Sequence, residues 1–249
     1  MSLAPLDAIK ISQLLSPTYP RVKVVAETTS TQSEITKVFS PLQPFDLLIA
    51  EHQTQGRGRL DRSFIAPSQR ALLFSLFIEP SHEKKHWGVL PLIIGTSVAQ
   101  ALRDFTALPA VTKWPNDILI DNRKVCGILC EVQNNGVIAG IGINVNTPLD
   151  QLPVPTATSL AHELRSEVNR EELLISVCHK ISMNVTLWNS GENALREYEN
   201  LSATIGSKVR ITLSDGSQCE GTATGVSSDG ELILDSGEKY SVGDVTHLR

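Results

Sequence analysis

The sequence predicts an α+β chain whose last fifth forms a small β-barrel. Three observations support this. Apolar runs of strand length recur from residue 22 to residue 145, and stretches of helical period lie among and after them. From Gly206 onward the composition shifts to short strands separated by Asp215-Gly216, Asp229-Gly230 and Ser236-Gly237. With 249 residues, 41% of them hydrophobic, the chain can bury one large core and a smaller one. The expected division is a domain at 1–202 and a second at 203–249.

The elements follow in order. VKVVA at 22–26 is a β-branched strand. In TTSTQSE, Thr29 or Ser30 is placed to cap a helix carrying Ile35 and Val38. FDLLIAE at 45–51 and ALLFSLFIE at 71–79 read as buried strands. Between Trp87 and Phe105 the spacing turns helical, with Leu92, Val98, Ala101, Leu102 and Phe105 on or near one face. Strands at 111–113, 118–121, 125–132 and 137–145 are joined by turn chemistry at Asp121-Asn122 and Asn134-Asn135-Gly136. Helical patterns cover 170–188 and, after Asn189-Ser190-Gly191, 192–201.

The formal net charge of -5 argues against a protein that coats nucleic acid. Four cysteines form no CxxC pair and read as buried, reduced thiols. The start MSLAPLDAIK lacks a basic region leading into an apolar one. The most apolar stretch is broken by Pro91 and Gly95, so no membrane span is expected. A cytoplasmic location is the expectation.

Local basic charge is the exception. GRGRLDRSF at 56–64 sets Arg57, Arg59 and Arg62 on a glycine loop. It is neither a Walker A loop nor a dinucleotide fingerprint. Alone, it fits a solvated loop as well as a grip on phosphate or carboxylate through guanidinium forks. KWPND at 113–117 puts Lys113, Asn116 and Asp117 on a proline-stiffened turn, suited to a nucleotide phosphate with Mg²⁺ or to a plain polar turn. RKVCGIL at 123–129 sets Lys124 at the mouth of an apolar strand, with Gly127 permitting close approach. In GIGINVN at 140–146, Gly140 and Gly142 open the same strand face, for a flat ligand or a close structural contact.

In this order, ETTSTQ, AEHQTQGRGR, KWPND, RKVCGIL and GIGINVN resemble the biotin protein ligase family segment by segment from about Val22 onward, and the ending GDVTHLR adds to the match. The resemblance implies a mixed sheet packed with helices, the biotin/lipoate ligase catalytic fold, plus an SH3-like C-terminal barrel. It implies ATP-dependent activation of biotin as biotinyl-5′-AMP with Mg²⁺, then transfer to a lysine of a biotin carrier domain of a carboxylase. By motif, Ser30, Thr31, Gln53, Gly56 and Arg57 would line the biotin ring site. Arg59 and Lys124 would serve the carboxylate and α-phosphate, and Gly140 and Gly142 would leave room for the bicyclic ring. Arg62, Phe64, Lys113, Asn116, Asp117 and Asn144 would face ATP, with Arg59, Lys113, Lys124 and Asp117 taken as the catalytic set and Asp117 as a candidate base. No residue is assigned as a metal ligand.

Three positions depart from the family pattern: Asp61 where a small residue is usual, Phe64 for Trp, and Gln32 for Asn. About 20 residues precede the first strand, fewer than a winged helix-turn-helix needs, so DNA binding is not expected. A homodimer stays open. The competing readings are a lipoate or octanoate ligase or transferase on the same fold, and a non-catalytic biotin or nucleotide sensor. Adenylate chemistry separates them, since a sensor makes no pyrophosphate.

Overall fold

The computed structural model describes residues 4–59 and 62–248. Asp61, noted above as a departure, lies outside the described residues. The chain begins with α1 (Ala8–Leu15), capped by Asp7, whose carboxylate accepts from the amides of Ile9 and Lys10. This helix is absent from the expectations above. Its burial rests on only Ile11 and Leu15 among its own residues, too few to mark a period in so short a segment.

β1 (Val22–Val25), α2 (Thr31–Val38), β2 (Leu47–Ala50) and β3 (Ala71–Ile78) follow. A 3₁₀ turn at Lys84–Val89 leads into α3 (Leu90–Thr106), so the helix predicted from Trp87 starts one turn later. β4 (Val111–Lys113), β5 (Asp117–Ile120), β6 (Arg123–Gln133) and β7 (Gly136–Asn144) form a meander. The tight β5–β6 turn holds Asp121 and Asn122 at positive φ, which Asx residues tolerate best among side-chain-bearing types. A short helix α4 (Leu160–Leu164), also unforeseen, precedes α5 (Arg170–Asn189) and α6 (Leu195–Leu201).

Seven strands make one mixed sheet in the order β1-β2-β3-β7-β6-β5-β4. Only β1 and β2 run parallel; every other pair is antiparallel. β3 sits near the middle, and its alternation divides the molecule. Leu72, Phe74, Leu76 and Ile78 enter the main core under α3 and α5, with Ile93, Val98, Leu174 and Ile181. Each such side chain contributes about 1.5–3 kcal/mol by burial. On the opposite face, Phe77 packs with Ile35 and Phe39 beneath α2. Beyond α2 that face carries Gly127, Gly140 and Gly142, and a cavity opens there.

The second sheet is formed by β8 (Lys208–Thr212), β9 (Gln218–Val226), β10 (Leu232–Leu234), β11 (Lys239–Tyr240) and β12 (Asp244–His247), in the order β11-β10-β9-β8-β12. Among the described residues no ladder joins β11 to β12, so the expected barrel is an open antiparallel sheet. Two-residue β11 is too short to wrap round to the far edge. Its core of Val209, Ile211, Ala223, Leu232, Leu234 and Val245 is completed by Trp114 and Leu92 from the first unit. The Trp114 indole N–H donates to the Gly230 carbonyl at 3.0 Å, and its backbone N–H donates to Thr204 Oγ1 at 3.1 Å. The two sheets therefore share a tryptophan.

Candidate active site

The cavity on the glycine face has a volume of about 780 Å³ and two chemically distinct ends. One end is neutral. Ser30 occupies the N-cap position of α2 but makes no capping bond through its side chain. This corrects the expectation that Ser30 or Thr29 caps the helix. Gln53, three residues past β2, does that work instead: its Oε1 accepts from the Thr31 amide at 2.7 Å and from the Thr31 hydroxyl at 3.0 Å. The Thr31 hydroxyl also meets Ser75 Oγ at 2.8 Å. Gln32 donates from Nε2 to the Ile138 carbonyl at 3.0 Å, and its Oε1 lies 3.3 Å from Ser75 Oγ. A Cβ at Gly140 would stand 2.6 Å from that Oε1, so the glycine is required by the glutamine lying over it.

The other end is cationic. Gly58 N–H donates to the Arg62 carbonyl at 2.6 Å and Phe64 N–H to the Gly56 carbonyl at 2.9 Å, folding the arginine loop on itself. Gly56 serves this fold rather than the cavity wall: a Cβ there would stand 2.2 Å from the Phe64 carbonyl. Phe64 returns over the sheet, where a Cβ on Gly142 would lie 2.7 Å from its ring. Gly142 and Gly127 are direct cross-strand partners, so the ring rests on a patch without side chains. The space expected to receive a substrate ring at Gly142 thus holds an aromatic of the chain itself, and that at Gly140 holds Gln32.

The charges are arranged around this patch. Arg59 donates to Asn116 Oδ1 at 3.1 Å, and Asn116 Nδ2 donates to the Ile128 carbonyl at 2.7 Å. Lys124 Nζ pairs with Asp117 at 2.5 Å. Arg62 pairs with Asp244 of β12, carrying the loop onto the second sheet. Arg57 faces outward to Glu131 at 2.6 Å. Burial lowers the Arg59 and Lys113 pKa values from their ordinary ranges; Asp117 and Asp244 partly oppose this at both sites. Asn144 lies on the same face of β7 as the two glycines; it donates to the Thr158 carbonyl, and its buried Oδ1 has no partner among the described residues. Lys124 is clamped from behind, its amide donating to Thr156 O and its carbonyl accepting from Thr158 N–H, both at 2.8 Å.

A family model described as the biotin/lipoate A/B protein ligase family matches residues 23–147, and one described as the biotin protein ligase C terminal domain matches residues 204–248. The chain is 33% identical over 239 residues to the biotin–[acetyl-CoA-carboxylase] ligase of Mycobacterium tuberculosis, spanning 92% of this chain and 90% of that one. The chain belongs to the biotin protein ligase family. The bifunctional ligase/repressor BirA of Escherichia coli is 27% identical, over 86% of this chain and 69% of its own. The solved biotin protein ligase of Aquifex aeolicus in complex with biotin and ATP superposes with a TM-score of 0.79 at 28% identity, covering 93% of this chain and all of that one.

Within this family fold, the described structure brings together Ser30, Thr31, Gln53, Arg57, Arg59, Arg62, Phe64, Lys113, Asn116, Asp117, Lys124, Gly140, Gly142 and Asn144 on one cavity wall. Gly56 is the one expected site residue outside the wall. Several wall residues escaped the sequence reading as site members, among them Gln32, Ser75, Trp114, Pro153, Thr156 and Asp244. Ser75 carried a signal, as the one hydroxyl in the apolar strand ALLFSLFI. Asp117 and Asp244 are the acidic residues of the wall, and no cluster of three or more ligating side chains exists among the described residues. That donor set suits Mg²⁺ arriving with a nucleotide, since this ion takes one or two carboxylates and fills its shell with phosphate and water.

Proposed function

We propose that this chain is an ATP-dependent ligase that activates biotin as biotinyl-5′-AMP and transfers the biotinyl group to a lysine of a biotin carrier domain. The observation that supports it best is the two-ended cavity. Neutral hydroxyls and amides at one end suit a ureido ring, and cations at the other suit a carboxylate and phosphates.

The first step brings an anionic carboxylate against an α-phosphate. At a few Å this repulsion amounts to several kcal/mol in a partly dry site. Lys124, Arg59, Lys113 and Arg62 all line the cavity; in this reading Lys124 and Arg59 would meet both anions, with Lys113 and Arg62 beside them. Once released from their resting partners and aimed at substrate, such cations stabilise charge that grows in the transition state. Asn116 holds Arg59 in place, and Asp117 would share Mg²⁺ with the nucleotide. Mg²⁺, when bound, neutralises phosphate charge. Lys124 must exchange its bond to Asp117 for substrate, which leaves that carboxylate as a candidate base for the acceptor lysine. Gln53 and Thr31 would hold the ring, and Asn144, which lines the cavity, would serve the nucleotide.

The division between a catalytic unit and a C-terminal unit falls between residues 202 and 203 in this reading. The chain stays on the edge strand β4 through Ala203, whose N–H donates to Thr112 O at 2.8 Å. The C-terminal family match begins at residue 204, which supports a change of unit within a residue or two of that point. Among the described residues no helix is long and apolar enough to cross a membrane, and all four cysteines are free. A cytoplasmic site of action and a carboxylase subunit as acceptor belong to the same proposal.

The test is the intact mass of a biotin carrier domain incubated with this protein, biotin and Mg-ATP. A biotinyl increment that disappears without ATP supports the ligase. Pyrophosphate from octanoate or lipoate but none from biotin would move the activity to the acyl ligases. No pyrophosphate from any acid would leave a sensor.

A further inference from the structure

The neutral end contains a hydrogen-bond relay whose direction is dictated by two backbone groups. The Thr31 amide can only donate, so the Gln53 amide must present its oxygen there at 2.7 Å and turn its NH₂ away. The Ile138 carbonyl can only accept, so Gln32 must place Nε2 there and Oε1 toward Ser75. That oxygen accepts only, which claims the single Ser75 proton. With the Ser75 proton on Gln32, Ser75 Oγ accepts across the 2.8 Å contact. Gln53 Oε1 at 3.0 Å is the second acceptor within reach of the Thr31 proton, and both draw that proton inward, away from the cavity. Toward the cavity Thr31 is left with lone pairs, and Gln53 with N–H donors.

We propose that Ser75 and Gln32 are positioning residues that give the ring end one donor–acceptor polarity, and that this polarity selects a cyclic urea over a plain acyl chain. This rests on the biotin reading above. A urea offers N–H donors to Thr31 and a carbonyl to Gln53; a hydrocarbon end would leave both buried and unpaired. Ser75 stands on β3 between Leu73 and Phe77, both buried and apolar, so the strand alternation alone would place an apolar side chain there. Gly140 completes the device by leaving the Gln32 amide room to lie flat.

The experiment measures pyrophosphate release with biotin, desthiobiotin and octanoate for the wild type, Ser75→Ala, Gln32→Met, the double variant and Ser75→Thr. Ser75→Ala should raise KM for biotin and desthiobiotin alike by about tenfold, the scale of one lost hydrogen bond, with kcat within about twofold because the cationic end is untouched. The preference over octanoate should fall by a similar factor. Gln32→Met should match it, the double variant should be no worse than either single, and Ser75→Thr, which keeps the hydroxyl, should recover the lower KM. An unchanged KM and preference in Ser75→Ala, loss in kcat alone, or an effect on biotin that spares desthiobiotin would overturn the proposal. A wild type inactive with biotin would instead remove the reading beneath it.

Discussion

The two ends of the cavity are held in opposite ways. The neutral end is closed by internal partners: Thr31, Gln53, Gln32 and Ser75 bond to one another and to backbone. The cationic end pairs its charges with carboxylates or an amide that a substrate must displace: Lys124 with Asp117, Arg62 with Asp244, Arg59 with Asn116. Shape recognition is thus built in advance, while charge is stored in exchangeable pairs. The difference follows from cost. A buried hydroxyl keeps its partners cheaply, whereas a buried unpaired cation loses far more solvation.

Breaking the cationic end should have the largest effect. Lys124→Met should lower adenylate formation by about 10²–10³-fold, the usual loss for one aimed donor, while biotin still protects the protein from unfolding. Single-turnover pyrophosphate release and a thermal shift with biotin alone check this. Trp114→Ala strikes the support shared by both sheets. Loss of a ring 1% exposed should cost about 3–5 kcal/mol of stability, measured by urea unfolding.

Sharpening the contrast takes smaller changes. Gly140→Ala should push Gln32 off its seat and raise KM for biotin, with about 1–3 kcal/mol of overpacking in the unfolding curve. Burial holds the Lys113 pKa below its ordinary 10.5, and the proposed mechanism uses its charged form. Activity should therefore fall on the alkaline side earlier than for an exposed lysine, as protons leave at the lowered pKa. In the pH profile of kcat/KM, Lys113→Arg should move that limb upward, since guanidinium keeps its proton. The smallest change is expected for Asp244→Asn. The pair it breaks is well exposed, so KM for ATP should shift by about two- to fivefold or less, and less again at high salt.

The strands of the first sheet and the cavity's cations and glycines were legible because their signals are local. GRGR, KWPND and GIGIN each compress charge, proline or glycine into a few positions, and a strand end or tight turn follows from them. What escaped depends on distant partners. Ser75 meets Thr31 across 44 residues and Gln32 across 43, and Arg62 meets Asp244 across 182. Nothing near Ser75 in the chain announces those contacts. Likewise α1 is fixed by remote groups: Glu51 accepts from the Leu6 amide at 2.5 Å while bonding buried Arg170 at 2.6 Å, and Tyr19 donates to the Cys178 carbonyl at 2.7 Å. The two-residue β11 shows the reverse case, where legible turns did not reveal that the edges stay apart.

The resting place of Phe64 has a calorimetric consequence. A substrate ring that settles over the Gly127–Gly142 pair exchanges one apolar contact for another, instead of drying a wet surface. The heat-capacity change on binding should then be less negative than the ligand's own buried area implies, because the ring that leaves regains water. Phe64→Ala removes that exchange. Titrations at several temperatures should show a more negative slope of enthalpy with temperature in the variant, even where affinity falls.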